Sequence, residues 1–130
     1  MSTPLRIATR SSRQALAQST AVAAALSSAT GLEVKLVQVK TTGDIRADVP
    51  LHTMGGQGVF VKEVQLAVLD GRADLAAHSA KDLPSAPADG LTIAAFTKRR
   101  DPRDALVGST LGDLAEGATV ASGSVRRRAQ

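Results

Sequence analysis

The sequence predicts an α/β fold built on a mostly parallel sheet, and three observations carry that expectation. Apolar, β-branched runs alternate with stretches of helical periodicity along residues 5–79. Each run ends in small hydroxyl or charged residues. The connections between runs are long enough for crossover helices.

Taken in order, Leu5–Thr9 reads as a first strand. The helix after it carries Ala15, Ser19, Val22, Leu26 and Ala29 on one face, a helical spacing. Ser11 or Ser12 supplies its N-cap and Gly31 its stop. Glu33–Val39, rich in valine, is a second strand, and residues 41–44 are turn chemistry. Residues 45–58, with Pro50 and a Gly-Gly-Gln-Gly run at 55–58, read as a mobile loop. Val59–Gly71 is a helix with Val61, Val64 and Val68 on one side. Ala73–Ser79 is a third strand and Gly90–Phe96 a fourth. Thr97–Asp104, charged and broken by Pro102, reads as a hinge. Ala105–Gly108 and Ala118–Ser122 then read as strands of a second domain, with a helix starting near Ser124. The expected organisation is a first domain over 1–96, a hinge over 97–104 and the start of a second, similar domain over 105–130.

Composition narrows the function. A chain of 130 residues suits one compact domain or one domain plus the start of another. There is no cysteine, which excludes disulfides, thiolate metal sites and a thiol-attached cofactor on these residues, and fits a reducing compartment. The formal net charge of +4 favours anionic partners. Aromatic residues make up 2%, so the stacking platforms of single-strand nucleic-acid binders are missing and nucleic acid is not an expected partner. Arg6, Arg10 and Arg13 interrupt any apolar run at the N-terminus, so no signal peptide is read there, and no membrane partner is expected.

Ligands of open α/β sheets bind at the carboxyl ends of the strands, and three polar clusters fall at such ends. In Thr9–Ser12, Arg10 offers a planar fork for carboxylates or phosphates at a helix start, although a serine cap and a surface arginine explain the same residues. In Ala77–Pro84 a histidine, a serine, a lysine and an aspartate crowd the end of a buried strand, where a solvated turn is the competing reading. His78 reads there as a satisfied strand-end histidine, and nearness in sequence does not make a triad of His78, Ser79 and Asp82. In Ser122–Arg128 a Ser-Gly-Ser turn precedes three arginines, which favours a small anion over a merely solvated face. Together the clusters suit a molecule carrying several carboxylates. The glycine run at 55–58 matches no nucleotide-binding pattern, and no metal-ligand spacing occurs.

The segments Leu5–Gln18, Gly58–Pro84, Asp101–Val107 and Ser122–Gln130 resemble, in order and spacing, the porphobilinogen deaminase (hydroxymethylbilane synthase) family. The resemblance covers essentially the whole chain. It implies a three-domain transferase whose first two domains are periplasmic-binding-protein-like, with the active cleft between them. It implies the condensation of four porphobilinogens, with loss of ammonia, into a linear tetrapyrrole, on the route to haem and other porphyrins. It also implies a dipyrromethane cofactor held through a cysteine of the third domain, porphobilinogen and polypyrrole intermediates as partners, a monomeric state and a cytoplasmic location.

The family's catalytic aspartate falls on Asp82, and its binders of acetate and propionate groups fall on Arg10, Ser12, Lys81, Ser124, Arg126 and Arg127. The sequence departs from the family pattern at Ala121, where the family has glycine, and at Gly123, where it has a hydroxyl residue. Thr53 and Gln57 stand where loop lysines are often found. Residues 1–130 carry no cysteine for the cofactor, so the isolated stretch is expected not to make the tetrapyrrole; a polycarboxylate-binding module without catalysis is the alternative. Protection from hydrogen exchange is expected over 5–96, with fraying over 105–130.

Overall fold

The computed structural model describes residues 2–41 and 60–130. The expected turn at 42–44, the loop over 45–58, Thr53 and Gln57 lie outside the described residues. The chain divides into two compact units, Met1–Thr97 and Lys98–Gln130.

Among the described residues, the first unit is α/β with a three-stranded parallel sheet in the order β2-β1-β3. Strand β1 (Leu5–Arg10) lies in the middle, β2 (Val34–Val39) pairs along its whole length, and β3 (Leu75–Ala76) pairs through Ile7↔Leu75 and Ala8↔Ala76. Ile7, Ala8 and Thr9 are all fully buried, as befits a central strand covered on both faces. Strand β2 is less covered, with Lys35 and Gln38 exposed, one on each face, and Val39 buried.

Helix α1 (Arg13–Thr30) starts on Ser12, whose backbone is extended and whose side-chain oxygen accepts the Ala15 N–H at 3.3 Å. It ends on Gly31, whose φ of 71° is the left-handed turn that glycine adopts without a Cβ penalty. Its inward stripe is polar at the centre: Ser19 is buried and donates to Thr9 Oγ1 at 2.6 Å, fastening the helix to β1. Ala29, expected on that stripe, is exposed, as are its neighbours Ser28 and Thr30 in the last turn. Helix α2 (Lys62–Leu69) buries Val64 and Ala67, which join Ala8, Val39 and Ala73 in the core, with Val68 packed against them.

The expected strands at 90–96, 105–108 and 118–122 are not strands, and the third strand is two residues rather than seven. A strand forms where a neighbour takes its ladder of hydrogen bonds, and among the described residues these segments have no such neighbour. Residues 92–100 are exposed throughout, Phe96 at 72%. The second unit holds a 3₁₀ turn at Leu111–Asp113 and a short helix, α3 (Val125–Ala129).

Candidate functional site

Because the strands are parallel, β1 and β3 deliver their carboxyl ends to the same edge of the sheet. Arg10 is the last residue of β1, and the capping Ser12 follows it. Beyond β3 the chain runs through Ala77, His78 and Ser79 into a 3₁₀ turn over Ala80–Asp82. That turn is closed by the Asp82 N–H on the Ser79 carbonyl at 2.9 Å. It stops at Leu83, held extended ahead of Pro84. The outcome is a small open pocket lined by Arg10, Ser12, Gln18, His78, Ser79 and Asp82. Its cavity volume is about 30 Å³, and it opens to solvent, so a ligand seated in it can extend beyond the mouth.

Within it, the Asp82 carboxylate lies 3.9 Å from Arg10 Nη1. At that distance the two attract but share no hydrogen bond. Among the described residues the Asp82 oxygens accept no hydrogen bond, so both are open to a ligand N–H. The Arg10 guanidinium stacks over the Phe60 ring, 4.0 Å from its centroid, a cation–π contact that orients the fork. Both side chains are mostly covered, Arg10 at 20% and Asp82 at 26% exposure, so their charges are only partly screened. Ser79 donates to Gln18 Oε1 at 2.8 Å and ties the turn to α1.

His78 departs from its expected role. It is half-buried, and its Nε2 is buried with no hydrogen-bond partner among the described residues, so it is not a satisfied histidine there. Burial pushes its pKa below the usual 6.5; Asp82 pulls the other way and Arg10 adds a smaller push downward.

The two readings of Ser12 are compatible. Its oxygen caps α1, and the same residue lines the pocket. Lys81 sits on the same turn as Asp82 but is exposed and does not line the pocket.

The other basic cluster belongs to the second unit. Ser124 caps α3 by accepting the Arg127 N–H at 3.3 Å, and Ser122 accepts the Ser124 N–H at 3.2 Å. Gly123 sits inside this turn and leaves it intact. Arg127 is held by Asp104, Nε on Oδ2 at 2.9 Å and Nη2 on Oδ1 at 2.6 Å. That bidentate bond lowers the Asp104 pKa and raises that of Arg127. Arg126 and Arg128 are exposed. With only five residues in α3, this cluster offers guanidinium groups rather than a helix dipole.

Sequence reasoning missed Phe60, Gln18 and Asp104. Phe60 carried a signal, being one of only two phenylalanines in the chain. Gln18 lies one turn after Gln14 on α1, and both line the pocket; Asp104 could be found only by its distance from Arg127. Among the described residues no group of three or more acidic, histidine or cysteine side chains could hold a metal ion. No helix among them is long and apolar enough to cross a membrane.

Residues 5–130 match the family described as porphobilinogen deaminase, dipyromethane cofactor binding domain. The chain is 49% identical over 134 residues to a probable porphobilinogen deaminase of Methanopyrus kandleri, covering 100% of this chain and 45% of that protein. It is 50% identical over 129 residues to a porphobilinogen deaminase of Acidothermus cellulolyticus, covering 97% of this chain and 39% of that protein. It thus spans less than half the length of these two curated relatives. A family match over nearly every residue, with relatives at about half identity, shows that the chain belongs to the porphobilinogen deaminase family.

Proposed function

We propose that the chain is the N-terminal part of a porphobilinogen deaminase, a transferase that joins porphobilinogens into a linear tetrapyrrole and releases ammonia. The observation that carries this is Asp82: a half-buried carboxylate, with no hydrogen bond among the described residues and 3.9 Å from an arginine, at the carboxyl end of a parallel sheet. When porphobilinogen loses its amine it becomes an electron-poor methylene-pyrrolenine cation. A fixed carboxylate at the pyrrole N–H stabilises that cation more than the neutral substrate, which is what lowers a barrier. The same carboxylate can take and return the pyrrole proton.

Arg10 and the Ser12 hydroxyl receive the acetate and propionate groups of the pyrroles. Lys81, exposed beside Asp82, supplies a long flexible cation for the same groups, and Ser124, Arg126 and Arg127 give the second unit its own carboxylate-receiving surface. Thr97–Asp104 acts as the hinge between a periplasmic-binding-protein-like first domain and the start of a second. The enzyme works in the cytoplasm as a monomer, on porphobilinogen and polypyrrole intermediates, without nucleic acid or membrane.

The donor set suits a dipyrromethane, whose carboxylates match Arg10 and Ser12 and whose pyrrole N–H groups match the open oxygens of Asp82. When bound, that group supplies an electron-rich pyrrole carbon as nucleophile. The chain itself has no cysteine to anchor it, so turnover requires the longer protein.

Asp82→Asn in the full-length enzyme tests the reading. Ammonia release is expected to fall roughly 10²–10⁴-fold, the span usual for a lost acid–base group, with porphobilinogen still bound. Unchanged turnover in this variant would exclude Asp82 from catalysis. Binding without turnover in the parent protein would leave a polycarboxylate-binding module.

A further inference from the structure

Beyond Asp82 and the anion binders, the pocket holds one side chain with a polar atom that nothing among the described residues satisfies. His78 Nε2 is buried, lacks a hydrogen-bond partner, and belongs to a side chain lining the same pocket as Asp82 and Arg10. Buried polar groups are almost always paired, so an orphan at a ligand site is an atom awaiting one. Leaving it unpaired costs desolvation in the unliganded state, and a ligand that supplies the partner recovers it.

We propose that His78 is a ligand-contacting residue of this site, its Nε2 completing its hydrogen bond with the bound pyrrole. This rests on the function proposed above and adds a recognition element to it.

The charges around the ring are arranged for such a contact. Among the described residues, Asp82 on the 3₁₀ turn and Arg10 on β1 are the charged groups that act on it, and they oppose each other. Burial dominates and keeps the imidazole uncharged at neutral pH. A neutral imidazole can accept from a pyrrole N–H through a bare Nε2, or donate to a carboxylate through a protonated one. In either state it adds no cation to a cavity that already holds Arg10, so no imidazolium pairs with Asp82 and takes the oxygens offered to a pyrrole N–H.

The experiment is nitrogen NMR of the full-length enzyme with labelled histidine. Residues 1–130 contain two histidines, His52 and His78, and a His78→Gln variant assigns the signal. In the unliganded protein His78 is expected to titrate below 6.5. Added porphobilinogen is expected to move its Nε2 resonance. In parallel, His78→Leu is expected to weaken porphobilinogen binding by roughly tenfold, about the worth of one hydrogen bond, with His78→Gln restoring most of it. Circular dichroism checks that both variants fold. Porphobilinogen binding with a silent His78 resonance would overturn this inference and leave the proposed function standing. No porphobilinogen binding in the parent enzyme would overturn both. Equal losses in the Leu and Gln variants would reduce His78 to a packing role and overturn the inference alone.

Discussion

At Ser12 one hydroxyl does two things that can be separated by measurement. Its oxygen accepts the Ala15 N–H, while its own proton remains available to the pocket. Ser12→Ala is expected to cost about 1 kcal/mol in urea unfolding, the usual worth of a serine cap. Ser12→Asp restores the cap but places a second carboxylate in the pocket, and is expected to recover stability while weakening porphobilinogen binding. Arg10, Ser12 and Asp82 were legible from the chain alone because each follows an apolar strand, where helix starts and turns demand polar residues. His78 was not legible. A histidine letter does not say whether its nitrogen meets a partner, and here the answer depends on Arg10 and Asp82, which are brought to it from 68 and 4 residues away only by folding. The Asp104–Arg127 pair was hidden for the same reason.

Among the elements, β1, β2, α1 and α2 could be read because local periodicity and burial agree in them. Strand β1 is covered on both faces, so it shows a continuous apolar core, and α2 places Val64, Ala67 and Val68 inward at helical spacing. The segments at 90–96, 105–108 and 118–122 have strand-like composition, but a strand is a relation between two segments and composition describes only one. β3 is held chiefly from its start. Asp74 accepts from the Arg6 backbone N–H at 2.8 Å and from the Arg6 guanidinium at 2.8 and 3.2 Å, and Arg6 also donates to the Gly71 carbonyl at 2.9 Å. These bonds hold the Asp74 carboxyl below its ordinary 3.8. A depressed carboxylate contributes stability that is present above 3.8 and is lost as pH falls through the lower folded value. Asp74→Asn is therefore expected to flatten the acid limb of the stability profile below 3.8 and to lower the plateau above it modestly, because the pair is solvent-exposed. Thermal melts across pH check both effects.

For the molecule as a whole, the two units differ in how much they bury. The fully buried side chains belong to Met1–Thr97, while in Lys98–Gln130 no described residue is buried and Val107 and Leu111 stand at 92% and 83% exposure. Hydrogen exchange of the 130-residue chain is expected to be slowest in β1, β2 and α2 and fast throughout 98–130. It is also expected to be fast over 92–97, which narrows the protected region from the 5–96 that composition suggested. Protection of 98–130 equal to that of β1 would contradict this. The Arg6–Asp74 clamp, joining residues 68 apart in the chain, has a further consequence. With only two residues in its ladder, β3 has little of its own to set its alignment, and slipping by one residue would turn every side chain to the opposite face. The clamp therefore works as an index pin: by seating Asp74 against Arg6, it decides that His78 and Asp82, and not their neighbours, emerge at the mouth of the pocket.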